Sequence, residues 1–127
     1  MFNNKFGIEI EFSGITRSKA ATVAAEYLGG RADSNNWVTA SDGRVWKFVS
    51  DGSVNPRRKV NGRVIDASNE YKVELVSPIL TYREDIDALQ ELVRRLRKAG
   101  AFAGSGSGCG IHYRKYSVIK RNGAKPD

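Results

Sequence analysis

The chain is poor in the residues that staple small scaffolds: its 127 residues include one cysteine, Cys109, one histidine, His112, and three prolines. A lone cysteine excludes an intramolecular disulfide framework and a zinc site built from several cysteines. A reducing, cytoplasmic setting is the resulting expectation. Long apolar runs are missing as well. No stretch approaches the roughly 20 apolar residues that cross a bilayer. Met1-Phe2-Asn3-Asn4-Lys5 leads into a strand-like pattern rather than an apolar signal core. Neither secretion nor membrane association is expected. No internal repeat is present, and the low-complexity stretch is confined to the glycine-rich run Ala103 to Gly110.

What is present suits one folded unit. Hydrophobic residues make up 40% and charged residues 28%, enough to build a core and too apolar for a disordered chain. The length fits a single domain over 1–127. Lys and Arg number 21 against 14 Asp and Glu, a net charge of +7, which invites an anionic partner: nucleic acid, nucleotide phosphates or an acidic protein surface. A solvated basic face explains the same excess without a partner.

Residues 5–13 alternate Phe6, Ile8, Ile10 and Phe12 with Gly7, Glu9, Glu11 and Ser13, the period of a strand with one apolar face. Thr16 to Leu28 is alanine-rich, sets Val23, Tyr27 and Leu28 at helical spacing and closes on Gly29-Gly30, which predicts a short helix. Between Trp37 and Val76, aromatic and β-branched runs are separated by Asp42-Gly43, Asp51-Gly52 and Asn61-Gly62. This predicts an antiparallel meander with strands Trp37–Ala40, Val45–Ser50, Lys59–Asp66 and Tyr71–Val76, Asn61-Gly62 being alternatively a hairpin tip within the third. Thr81-Tyr82-Arg83-Glu84 reads as a capping box ahead of a helix whose Ile86, Leu89, Val93 and Leu96 share one face and which stops at Gly100. Glu84, Asp85 and Asp87 near its start and Arg94, Arg95, Arg97 and Lys98 near its end suit the helix dipole. That basic run needs no ligand to explain it. Residues 113–127 form a basic C-terminal segment.

Glu9 and Glu11 lie about 7 Å apart on one strand face. Two such carboxylates repel unless a cation sits between them, which suits Mg²⁺; a solvated strand face is the alternative. Glu74 shares a side with Glu70 and Lys72 and joins the pair if its strand lies beside the first. Lys72 pairing across the sheet is the competing explanation. Asp51-Gly52-Ser53 is accounted for by turn chemistry, and the glycine-rich run lacks the Lys-Ser/Thr ending of a P-loop. Cys109 and His112, about 10 Å apart and on opposite faces if extended, are poorly placed for thiol catalysis.

The order of these pieces is more specific than any one of them. Phe-Gly-Ile-Glu-Ile-Glu-Phe at 6–12, Asp-Gly-Ser at 51–53, Glu-Leu-Val-Ser-Pro-Ile-Leu at 74–80, the capped helix and Cys-Gly-Ile-His at 109–112 together resemble the amidoligase family. That family is similar to the glutamine synthetase and carboxylate–amine ligase catalytic fold. The resemblance implies an α+β domain with two helices packed on one face of an antiparallel sheet, and ATP- and Mg²⁺-dependent formation of an amide from a carboxylate and an amine. It matches Glu9, Glu11 and Glu74 to metal ligands. Asp51 falls on the family's Asp-Gly-Ser turn near the substrate, and His112 on the first histidine of Cys-Gly-x-His-x-His. Lys47, Ser53, His112 and Arg114 are expected to contact the cofactor, with Asp51, His112 and Arg114 expected at the chemistry.

Arg114 stands where the family's second histidine falls, and similar members continue for about a further half-domain. Three readings follow: a minimal enzyme in which Arg114 and the basic segment handle phosphate charge, a protein completed by a second copy or another chain, or a shortened relative. A different class stays open beside them. Tyr113 and Tyr116 interleaved with Arg114, Lys115, Lys120 and Arg121 suit a non-catalytic module for nucleic acid or an acidic protein.

Overall fold

The computed structural model describes residues 5–50 and 52–103 and the backbone of 113–117. In chain order the elements are β1 (Lys5–Phe12), α1 (Arg17–Leu28), β2 (Arg31–Ala32), β3 (Trp37–Thr39), β4 (Val45–Val49), β5 (Arg57–Val60), β6 (Arg63–Asp66), a 3₁₀ turn (Asn69–Tyr71), β7 (Val73–Val76), β8 (Leu80–Thr81), α2 (Tyr82–Lys98) and β9 (Tyr113–Ser117). All recorded strand pairings are antiparallel. The fold is therefore α+β, with one main sheet and two helices.

β1 is the spine of that sheet. Ile10 pairs with Leu75 of β7 and with Tyr113 of β9, and Phe6 with Leu80 of β8 and Ser117 of β9. So β7 and β8 share one edge of β1 and β9 takes the other; beyond β7 the sheet continues through β4 and β3 to β2. From Glu9↔Val76 to Phe6↔Leu80 the partner advances one residue more than β1 does, which is a β-bulge. Pro78 explains it, having no N–H for the ladder. Ser77 mends the gap: its Oγ accepts the Ile8 N–H at 3.0 Å and donates to the Pro78 carbonyl at 2.8 Å.

Both helices cover one face. Ile8, Ile10, Phe12, Val38, Trp46, Phe48, Val73 and Leu75 point to it and form a single buried cluster with Ala20, Ala21 and Ala24 of α1 and Leu89, Leu92, Val93 and Leu96 of α2. In α1 the buried stripe is alanine, whereas Val23, Tyr27 and Leu28, expected to carry the packing, are only half-buried. Small side chains let the helix axis approach the sheet closely. Thr16 caps the helix by accepting the Lys19 N–H, and Gly29, at φ 68°, closes it. In α2 the expected capping box does not form. Thr81 is the cap residue but its side chain makes no capping bond, and Asp85 instead accepts the Thr81 N–H at 2.7 Å.

The hairpin-tip alternative for the third strand holds, and three other expectations, the unbroken meander, Tyr71 in a strand and the C-terminal tail, are corrected. The third strand is a hairpin, β5–β6, whose two-residue turn holds Asn61 at φ 52° and Gly62 at φ 79°, the signature of a type I′ turn. The hairpin forms its own two-stranded sheet, so the meander is interrupted. Glu70 and Tyr71 belong to a 3₁₀ turn, tied to α1 by Arg17, whose Nη1 donates to the carbonyls of Asn69 and Lys72 at 2.9 Å each. And residues 113–117 form an edge strand rather than a tail. The two-residue strands β2 and β8 have too little pattern to read in advance.

Candidate functional site

Register decides which side chains meet. Glu11 pairs with Glu74, Glu74 with Val49 of β4, Glu9 with Val76, and Val76 with Lys47; Lys47 in turn pairs with Trp37 of β3. Directly opposed residues in a sheet share a face, with Cβ atoms about 5 Å apart. Glu9, Glu11, Glu74, Lys47 and Trp37 therefore occupy the helix-free face, opposite in phase to the core residues. On the far edge the register sets Arg114 opposite Glu9. The expectation that Glu74 joins Glu9 and Glu11 through neighbouring strands corresponds to this arrangement.

The face is not simply solvated. Glu11 is only 9% exposed, and Glu9, Glu11, Glu74 and Ser53 each have an interaction partner. Gly7, also on this face, is buried. Lys47 has its ammonium 4.1 Å from the Trp37 ring centroid, a cation–π contact that holds the charge over β3. Lys72 lies outside β7 and, among the described residues, forms no ion pair that would neutralise the glutamates across the sheet. Asp51 and His112 lie outside the described residues, and Arg114 is placed by backbone register alone.

Among the described residues no three histidine, cysteine or carboxylate groups come together closely enough to hold an ion. The donor set still fits Mg²⁺. That ion keeps several waters and takes one or two carboxylates, the rest of its shell coming from substrate phosphates. The opposed pair Glu11 and Glu74 would offer such an ion hard oxygen donors.

Two features escaped the sequence reading. Trp37, 39% exposed, stands on the same face as the glutamates; with Lys47 located, strand pairing alone identifies it. The second is a charged clamp at the start of α2. Arg44 donates from Nη1 and Nη2 to the two Asp85 carboxylate oxygens at 3.1 and 2.9 Å, from Nη1 to the Ile79 carbonyl at 3.1 Å and from Nε to Asp42 at 3.0 Å. Hydrogen bonds from Arg44 hold the Asp85 and Asp42 carboxyls below their usual range, and the same bonds raise the Arg44 guanidinium. No sequence spacing announces a pair 41 residues apart.

The structure thus defines a two-layer α+β domain with carboxylates gathered on the sheet face opposite the two helices. Residues 3–115 match the family model described as "Putative amidoligase enzyme". The chain belongs to that amidoligase family, whose activity is of the ligase type. No curated protein and no solved structure matches it.

Proposed function

We propose that the domain carries out ATP- and Mg²⁺-dependent amide-bond formation between a carboxylate and an amine, on a sheet of the glutamine synthetase catalytic type. The supporting observation is the register that opposes Glu11 to Glu74 with Glu9 two residues along on the same face. Glu11 and Glu74 would hold the ion and Glu9 would flank it. Mg²⁺ bound there supplies neutralisation of ATP phosphate charge. Arg114, opposite Glu9 in register, and Lys47 bring positive charge to the anionic substrates, with Ser53 offering a hydroxyl to the nucleotide.

The reaction has two balanced steps. A substrate carboxylate oxygen attacks the γ-phosphorus and ADP leaves, giving an acyl phosphate. The amine nitrogen then attacks the acyl carbon, phosphate departs with the bonding pair, and the surplus amine proton passes to a base. Asp51 and His112 are the chain's candidates for orienting the amine and accepting that proton.

Calorimetric titration of ATP with and without Mg²⁺, on the wild type and on Glu11→Gln, tests this reading. Binding that requires both Mg²⁺ and Glu11 supports it. Metal-independent, salt-sensitive binding of polynucleotide with no ATP binding would replace it by a basic binding module.

A further inference from the structure

The β5–β6 hairpin stands apart from the main sheet, and its two faces differ. Arg57, Asp66, Lys59 and Val64 share one, Arg58, Ile65, Val60 and Arg63 the other, as the pairings Arg57↔Asp66, Arg58↔Ile65, Lys59↔Val64 and Val60↔Arg63 require. The first face has its own contacts, although Lys59, Val64 and Asp66 on it are exposed. Lys59 lies 5.5 Å from the Phe102 ring centroid and Arg57 is 3.4 Å from Asp66. The second presents two arginines among aliphatic side chains, with no carboxylate of its own. Asp66 and Glu70 line the same open groove of about 450 Å³ as Arg58, and the hairpin's four basic residues, Arg57, Arg58, Lys59 and Arg63, outnumber its single carboxylate, Asp66.

The edges differ too. The Ala67 N–H bonds to the Pro56 carbonyl at 3.1 Å, which fixes the ladder phase and turns the backbone groups of Arg57, Lys59, Val64 and Asp66 outward. On β5 the root is covered: the Arg57 N–H donates to Ser13 Oγ at 2.8 Å and its carbonyl accepts the Gly14 N–H at 3.0 Å. On β6 the edge pairs with no other strand among the described residues. Val64 and Ile65 beside it are 45% and 37% exposed. An uncovered edge with adjacent β-branched residues is a template for another strand.

We propose that this edge docks an extended acidic peptide, added as a third strand with its carboxylates toward Arg58 and Arg63. Charge favours this occupant: a carboxylate-rich strand complements the arginine face, whereas a second β6 paired antiparallel would bring another Arg63 to that same face. Position gives the docking its use. The hairpin root is held by Ser13 and Gly14, immediately after the β1 segment that carries Glu11, so a bound peptide lies at the carboxylate end of the sheet. That it is the acyl substrate rests on the ligase reading; the docking itself does not.

The test is fluorescence anisotropy with a short labelled peptide of alternating Glu and Val, competed by an oligonucleotide of equal charge. The variants are Arg58→Glu with Arg63→Glu, and Val64→Pro, which removes an outward edge donor. Each is expected to weaken peptide binding about tenfold or more, with circular dichroism and Mg²⁺–ATP titration unchanged. Should charge reversal unfold the hairpin, Arg58→Gln with Arg63→Gln carries the measurement. Variants that bind like the wild type overturn the proposal, as do stronger competition by the oligonucleotide and a β6-mediated dimer that the peptide does not dissociate. Hairpin-dependent peptide binding without any Mg²⁺–ATP binding would overturn the ligase reading and leave the docking edge in place.

Discussion

Along β1, successive residues belong to different worlds. Ile8, Ile10 and Phe12 lie in the core beneath two helices, while Gly7, Glu9 and Glu11 face the opposite side of the sheet. The strand period of two separates them, so a one-residue slip would turn the carboxylates into the core beneath the helices and the isoleucines out of it. The pairing that stabilises the domain is thus the same pairing that aligns Glu11 with Glu74. The packed core resides on one face and the proposed site on the other, and a single register fixes both.

The comparison breaks most sharply by cutting into the covered face. Leu75→Ala is expected to cost about 3–5 kcal/mol in denaturant unfolding, because a fully buried side chain leaves a cavity that helices and sheet cannot close. Its neighbour Glu74, on the other face, is expected to cost within about 1 kcal/mol as Glu74→Gln, a near-isosteric change away from the core. Equal costs for the two would show that the faces are not energetically distinct.

A smaller effect is expected at Asp85, where charge rather than packing joins α2 to the β3–β4 turn. Asp85→Asn should cost about 1 kcal/mol, a figure reduced for the partial exposure of Arg44, whose side chain is 35% accessible. The pH dependence sharpens this. Arg44 lowers the Asp85 carboxyl below its ordinary 3.8. The folded state therefore binds this proton less readily than the unfolded state does. The stabilisation is fully present above pH 3.8 and is lost as pH falls through the lowered folded value. Unfolding curves of wild type and Asp85→Asn should differ by a constant amount near neutrality and converge in acid. A difference that persists at the lowest pH would assign the effect to shape instead.

How much could be read in advance follows the same division. β1, both helices and the side of the strand on which Glu74 lies were legible, because alternation and helical periodicity are local. What depended on distant partners was not. The alanines of α1 pack where larger residues were expected, since the space is set by the sheet below. Asp85 displaces the capping box because Arg44, brought by another turn, draws it in. Asn61-Gly62 carried the hairpin signal, yet nothing local shows that the hairpin leaves the main sheet. In the site, the residue types of Glu9, Glu11 and Glu74 were legible, and their meeting was not until the register joined β1 to β7. Trp37 was missed because its meaning lies in its partner, Lys47.

The most direct measurement is a double-mutant cycle on Mg²⁺-dependent ATP affinity with Glu11→Gln, Glu74→Gln and the pair, each checked for unchanged stability. If the two opposed carboxylates act through one ion, either substitution removes most of the metal-dependent binding and the double variant is scarcely worse, a strongly non-additive result. Losses that simply add, or Mg²⁺-dependent binding untouched by all three variants, would contradict the account.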